Sequence, residues 1–341
     1  MVFGYLDRFQ FGKPLNEKKK DLLGERMQRQ LDLIQYKDEF DEQLENLDQL
    51  MYWKIKFHPD LIQETVYLVI EKGKLLGVAY LIKRSGFLHI DKELAFHEII
   101  LEHYIDSEAL KQEETLSLLL GQMKKECDRI SEDYPGKRIM IKCWEPEEEH
   151  ERIEMYLNND FYIGRGALIL VRKLDNVENY DFSKPQYLNI QTDYDNETLE
   201  IKELTMEDNF LDEYEKANGN AFVIPDSIGD LAFKMNGPDV KIFAVMKGKE
   251  IISSLMIWEC SEERAATENI FCIDTYRRKG ITSALIEYVC AYLKAEGYEE
   301  ASLTVYQDNL PAIHLYEKMG YRYEKFNFGI QYETGYKAIE Y

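Results

Sequence analysis

The chain is poor in cysteine, in histidine and in long apolar runs, and each scarcity excludes something. Its five cysteines (127, 143, 260, 272 and 290) are odd in number, scattered, and form no CxxC pair. Neither a disulfide framework nor a zinc–thiolate site follows, and the expected setting is reduced and cytoplasmic. The six histidines form no HExxH or similar pair, so no metal is expected. Apolar runs such as "YLVI" (67–70) and "LSLLLG" (116–121) fall far short of a membrane span. The opening "MVFGYLDRFQFGK" lacks a basic n-region, an apolar core and a small-residue cleavage site, so no signal peptide is expected. Neither GxxxxGK[ST] nor GxGxxG occurs. Positive charge is also short: 42 lysines and arginines face 64 acids, a net charge of −22. That opposes general nucleic-acid binding, and it suits cationic small molecules and plain solubility equally well.

What is present is material for two cores: 341 residues, 45% of them apolar. The C-terminal half reads as a strand (201–205), two helices (206–219 and 226–237) and a hairpin (240–260) turned by Lys-Gly-Lys. A strand (266–274), a long helix from Gly280 to Gly297, a strand (300–307), a helix capped by Asn309 and a final strand (321–332) follow. The N-terminal half repeats the order. Its hairpin spans 66–82, with Gly73 standing where Gly248 stands, and a strand (96–105), a long helix (113–130) and a closing strand, helix and strand (138–174) come after it. "MYLNNDFY" (155–162) lies over "LYEKMGYRY" (315–323), which brings Tyr156 onto Tyr316. The segment 16–55 reads as solvated amphipathic helices covering the first sheet. The expected organisation is a first domain over 1–174, a linker over 175–199 and a second domain over 200–341. The expected class is α/β (α+β), each unit a mixed sheet flanked by helices.

One stretch contradicts the overall charge. "TYRRKGITSAL" (275–285) sets Arg277, Arg278 and Lys279 beside Gly280, between a strand and an amphipathic helix. A helix N-terminus leaves backbone N–H groups unpaired and carries partial positive charge, so a phosphate fits there. Gly280 lets a ligand approach the backbone, Thr282 and Ser283 offer hydroxyls, and the three cations supply attraction. On an acidic protein this reads as a cradle for an anionic cofactor, with a basic surface turn as the alternative that the turn alone leaves open.

The strand "ENIFCID", the Arg-x-x-Gly-x-Thr turn, the helix after it and "LTVYQDNLPAIHLYEKMGYRY" together resemble the GNAT superfamily of acyl-CoA N-acyltransferases. That family carries a [Gln/Arg]-x-x-Gly-x-[Gly/Ala] turn, matched by Arg277, Gly280 and Thr282. It also carries Asn-x-x-Ala-x-x-x-Tyr-x-x-x-Gly-[Phe/Tyr], matched by Asn309, Ala312, Tyr316, Gly320 and Tyr321. Thr282 is the one departure, and its side chain can point away from the phosphates. The resemblance is specific over 240–325, fair over 200–341, and reaches the first half through the internal repeat alone. It implies two tandem GNAT-like domains with splayed, mostly antiparallel sheets, and acetyl-CoA as co-substrate.

The resemblance also implies roles. The main chain of Phe271, Cys272 and Ile273 would pair with the pantetheine arm, and amides from Arg278 through Lys279, Gly280, Ile281 and Thr282 to Ser283 would hold the pyrophosphate. Asn309 would bond the arm, and Tyr316 would protonate the departing thiolate. Glu268 and Glu259 are the candidate bases, with Asp274 behind them. Cys272 reads as a buried packer, and His314 is no obvious partner for it. The first copy has "DSEALKQEETLS" (106–117) where the second has its glycine turn, so a degenerate lobe is expected there. The expected activity is acetyl transfer to a small or peptidic primary amine by a monomer or homodimer. A different acyl group or acceptor is an alternative, and so is a non-catalytic acyl-CoA sensor.

Overall fold

The computed structural model describes residues 31–84, 97–107, 109, 111–191, 196–205, 210–222, 228–236 and 240–334. The first half contains β1 (Asp32–Gln35), α1 (Asp41–Leu47), α2 (Gln49–Phe57), β2 (Tyr67–Glu71), β3 (Lys74–Lys83) and β4 (His97–Ile105). It continues with α3 (Gln112–Glu132), β5 (Ile139–Pro146), α4 (His150–Asn158), β6 (Tyr162–Ile163) and β7 (Ala167–Lys173). The second half contains β8 (Gln186–Gln191), β9 (Asn196–Leu204), α5 (Leu211–Ala221), α6 (Ile228–Met235), β10 (Lys241–Lys247) and β11 (Glu250–Ser261). It ends with β12 (Arg264–Cys272), α7 (Ile281–Ala295), β13 (Glu300–Tyr306), α8 (Leu310–Lys318) and β14 (Arg322–Glu333).

The mixed α/β fold follows the periodicities. In both hairpins a glycine with positive φ turns the chain, Gly73 at +81° and Gly248 at +61°, a conformation that costs glycine little. The long helices bury one stripe each. Leu116, Leu119, Leu120, Met123, Cys127 and Ile130 of α3 pack on the strands of the first half, and Leu285, Val289 and Leu293 of α7 on those of the second. Helices α3, α4, α7 and α8 thus cover one face, while α1, α2, α5 and α6 cover the other.

All described strands join one sheet in the order β1-β2-β3-β4-β5-β14-β7-β13-β12-β11-β10-β9-β8, with β6 beside β14. Pairing is antiparallel except for β4 with β5 and β12 with β13. The last strands of the two halves are exchanged. β14 lies between β5 and β7, and β7 lies between β14 and the second half's β13, paired over its whole length from Ala167 to Lys173.

Two expectations need correction. Within 16–55, the part before residue 31 lies outside the described residues, and 32–35 is a strand rather than helix. Leu33 packs into the core under α3 while its neighbour Ile34 packs under α1 and α2, an alternation of period two. The segment assigned to a linker, 175–199, contains β8 and the start of β9. Here Ile190 is buried while Tyr187 stays exposed, a polar edge strand with a weak signature. No helix among the described residues is long and apolar enough to cross a membrane.

Candidate active site

β12 and β13 pair only from Arg264↔Glu300 to Ala266↔Ser302, and beyond that they diverge into a wedge. Thr267 marks the parting point: its hydroxyl donates to Ser302 O at 2.9 Å and lies 3.1 Å from the Tyr321 hydroxyl. Asn269, at φ +50°, sits in a bulge where the β11–β12 register shifts. A bulge re-aims the side chains beside it. Next to it Glu268 reaches across the wedge, and its Oε1 accepts from the Thr304 N–H at 2.9 Å.

The turn after β12 has the form the sequence suggests. Arg278 (φ +64°) and Gly280 (φ +79°) both adopt the left-handed region, and Gly280 caps α7. No side chain caps the helix and none in its first turn is acidic. The Ala284 N–H bonds Gly280 O at 3.0 Å, so the amides before it point out of the helix end. No described atom lies within 4 Å of a Cβ built at Gly280. Arg277 is partly spent: its Nη2 lies 2.9 Å from Asp274 Oδ1 and its Nε donates to Cys272 O at 3.1 Å. Asp274 is thereby held in the loop. Lys279 acts on the carboxylate of Glu197, which the Tyr276 hydroxyl and Lys247 hold below the usual range. The Thr282 side chain acts on the Cys272 thiol, opposing the rise that burial gives it.

Tyr316, on α8, is 7% exposed. Burial, and then the charge of Glu268, push its hydroxyl above the usual tyrosine range, so it stays protonated. The two groups approach through the wedge from opposite faces of the sheet. Glu268 keeps some accessible surface, yet desolvation lifts its carboxyl from 4.5 to about 7, against the pull of Thr304 and Lys234.

The remaining candidates fall out variously. Glu259 stands apart at the exposed end of β11, where its carboxylate accepts from the Tyr298 hydroxyl at 3.1 Å. Asn309 caps α8, its Oδ1 accepting from the Ala312 N–H at 3.4 Å. The Ile273 N–H already bonds Ile252 O (3.0 Å), and Phe271 O accepts from Ser253 Oγ (2.6 Å). Together with the Arg277 bond to Cys272 O, this leaves few main-chain groups of 271–273 without a partner. The Cys272 thiol is buried and pushed up by desolvation, and His314 lies on the exposed side of α8. Sequence reasoning missed Thr304, because its contribution is a main-chain N–H, and Lys234, which lies on α6 far along the chain.

The sequence model of the Acetyltransferase (GNAT) family matches residues 198–321, which include this entire constellation. Residues 198–321 are a GNAT domain. No curated protein matches the chain, but solved structures share its fold along most of its length. A tandem GNAT protein from the clavulanic acid biosynthesis pathway is 9% identical, with TM-score 0.58 over 90% of this chain and all (100%) of that one. A GCN5-related N-acetyltransferase from Anabaena variabilis is 9% identical, with TM-score 0.57 over 89% of this chain and 72% of that chain. Another from Sphaerobacter thermophilus is 12% identical, with TM-score 0.53 over 89% and 95%. The chain therefore has the tandem GNAT fold.

Compared with the GNAT domain, the first half has the same wedge, closed. β4 and β5 pair from His97↔Ile139 to Ile100↔Lys142 and then part. Tyr156, the counterpart of Tyr316, is fully buried and shares a hydrogen bond with His103 Nε2. His103 Nε2 also lies 3.3 Å from Glu145 Oε1, and Glu145 Oε2 lies 3.5 Å from Arg152 Nε. Helix α3 begins with Glu113 and Glu114 in its first turn, where α7 has no acid. Those charges oppose an anion at that helix end.

Proposed function

We propose that the GNAT domain transfers an acetyl group from acetyl-CoA to a primary amine by direct attack. The observation that carries this is the uncapped, cation-flanked N-terminus of α7, standing at the mouth of a wedge that holds both Glu268 and Tyr316. The turn fits a pyrophosphate. Its glycine leaves the approach open, its helix end is positive, and Arg278 and Lys279 stand beside it. Residues 278–283 would hold the diphosphate. The β12 edge and Asn309 would line the arm. When bound, acetyl-CoA supplies an acyl group activated as a thioester.

The protein's own part is to align and to move two protons. Glu268, with a carboxyl near 7, takes a proton from the incoming ammonium, so that the amine nitrogen can bond to the acyl carbon. Tyr316, kept protonated by burial, delivers its phenolic proton to the sulfur as the carbon–sulfur bond breaks. The attacking nitrogen sheds its second proton as the amide forms, which returns Tyr316 to its phenol, and Glu268 releases its own proton to solvent.

Thiol release from acetyl-CoA with a panel of amines (polyamines, aminoglycosides, amino acids, peptide N-termini) tests the reading. Turnover is expected with at least one class, and Tyr316→Phe should lower kcat about 10²–10⁴-fold while acetyl-CoA still binds. Tight acetyl-CoA binding with silence across the panel would favour a sensor over an enzyme.

A further inference from the structure

A run of buried hydrogen bonds at the root of the wedge takes no part in the proton transfers. Thr267 follows the last paired position of β12 and β13, Ala266↔Ser302. Its hydroxyl carries one hydrogen, and the Ser302 carbonyl, 2.9 Å away, can only accept. The Tyr321 hydroxyl at 3.1 Å is therefore the donor to Thr267 Oγ1, and the Cys290 thiol at 3.7 Å donates to Tyr321. The hydrogens are thereby assigned from Cys290 on α7, through Tyr321 just before β14, to Thr267 on β12 and Ser302 on β13. All four residues are buried, Cys290, Tyr321 and Thr267 completely. A buried polar run with its bonds made holds one geometry.

The run is tied to both proton-transfer groups. Glu268 comes directly after Thr267 on β12, and its partner, the Thr304 N–H, lies two residues past Ser302 on β13. On the other side the Tyr321 N–H donates to Tyr316 O at 3.0 Å. The two tyrosine rings meet edge to face, with centroids 6.0 Å apart and planes at 62°. One tyrosine thus joins the helix that carries the acid to the strand that carries the base. Without the Thr267 hydroxyl, Ser302 O and the Tyr321 hydroxyl are left buried and unpaired, a cost that water entering the wedge would relieve.

We propose that Thr267, held by Tyr321, is a positioning residue of this site. It fixes where β12 and β13 part and keeps water from the root of the wedge, so that Glu268 and Tyr316 face each other at one separation. Being fully buried, Thr267 touches no reactant itself. The proposal rests on the transferase reading for the roles of the two groups that it positions. Valine in its place keeps the shape and loses both hydrogen bonds, while serine keeps the bonds.

Carbon-13 NMR of the side-chain carboxyls in the full chain, with Glu268→Gln for assignment, tests this without any substrate. Lys234 of α6, Tyr316 of α8 and the Cys260 thiol of β11 are the charged or titratable groups that act with Glu268. Thr267→Val alters none of them, so a shift reports the wedge. Glu268 should titrate at about 7 in the wild-type protein and in Thr267→Ser. In Thr267→Val it should fall by about one pH unit as water reaches it. The pH limb of kcat/KM should move with it, and kcat should drop about tenfold while the KM for acetyl-CoA holds. A wild-type Glu268 in the ordinary carboxylate range, an unmoved titration in a folded Thr267→Val protein, or a Thr267→Ser protein that shifts as far would each overturn the proposal. Should the valine variant not fold, Tyr321→Phe removes one bond of the run and should shift the same way, and an unmoved titration there would overturn it. The expected shift in a protein that releases no thiol with any amine would sustain the positioning and overturn the transferase reading instead.

Discussion

Glu268→Gln should make the protein more stable and less active, and the two effects have one cause. Burial lifts the Glu268 carboxyl from 4.5 to about 7. At about 1.4 kcal/mol per pH unit, the ionised carboxylate costs the folded state at most about 3.5 kcal/mol. The sign follows from linkage. A carboxyl whose folded value lies above its unfolded one favours folding while protonated, and that contribution is lost as pH rises through about 7. Glutamine keeps the size and an oxygen for the Thr304 N–H, and it cannot ionise. Thermal unfolding at pH 5 should therefore differ little between the two proteins. At pH 8 the variant should gain up to about 3.5 kcal/mol, or about 4–5 °C for a chain of this length. In the same protein kcat/KM should fall about 10²–10⁴-fold, and the wild-type rate should climb with pH through about 7. Equal melting at pH 8 would refute the desolvated carboxylate, and undiminished turnover would remove Glu268 as the base.

Gly280→Glu should weaken acetyl-CoA binding more than tenfold by calorimetry, because it sets a carboxylate at the end of α7. The open space at that position lets the variant fold, with a strain of about 1 kcal/mol from its positive φ. Tyr156→Phe should leave turnover intact and lower stability by about 1–2 kcal/mol in denaturant titration, since it removes a buried hydrogen bond to His103. A collapse of activity like that of Tyr316→Phe would show the first wedge to be catalytic. A fragment of residues 175–341 should aggregate or self-associate on size exclusion, because it exposes the whole edge of β13 that β7 covers; a soluble, active monomer would refute that dependence.

The elements written in local pattern were legible, and those decided by neighbours were not. Gly280 could be read because a left-handed turn ahead of an uncapped helix demands that residue among those cations. Asn309 could be read as a cap because its side chain bonds the next turn. β1 and β8 escaped because edge strands need only one or two inward residues among polar ones. Glu259 and Glu268 look alike as acids on adjacent strands. Only the bulge at Asn269 and the parting of β12 from β13 turn one of them into the wedge. The exchange of β7 and β14 leaves no local mark, since either strand satisfies the alternation that β5 or β13 requires of a partner.

That exchange explains why a half with a closed wedge would persist. Removing it would take β7 from β13, the strand whose Thr304 N–H holds Glu268. It would also remove the support of α6, where Trp53 stacks on Phe233 at 4.1 Å and His58 Nε2 lies 3.4 Å from Asp230 Oδ1. Burial pushes Asp230 up, but Lys234 and His58 outweigh it and hold its carboxyl well below the usual range, so this carboxylate is ionised at neutral pH. Lys234, which pairs with Asp230 at 2.7 Å, is the same cation that acts on Glu268. The first half therefore bears on the base from two directions, through the strand beneath it and through the helix above it. Its own wedge could lose cofactor chemistry and fill with Tyr156, His103 and Glu145 without loosening either support, because both run through β7 and α2 and neither passes through that wedge.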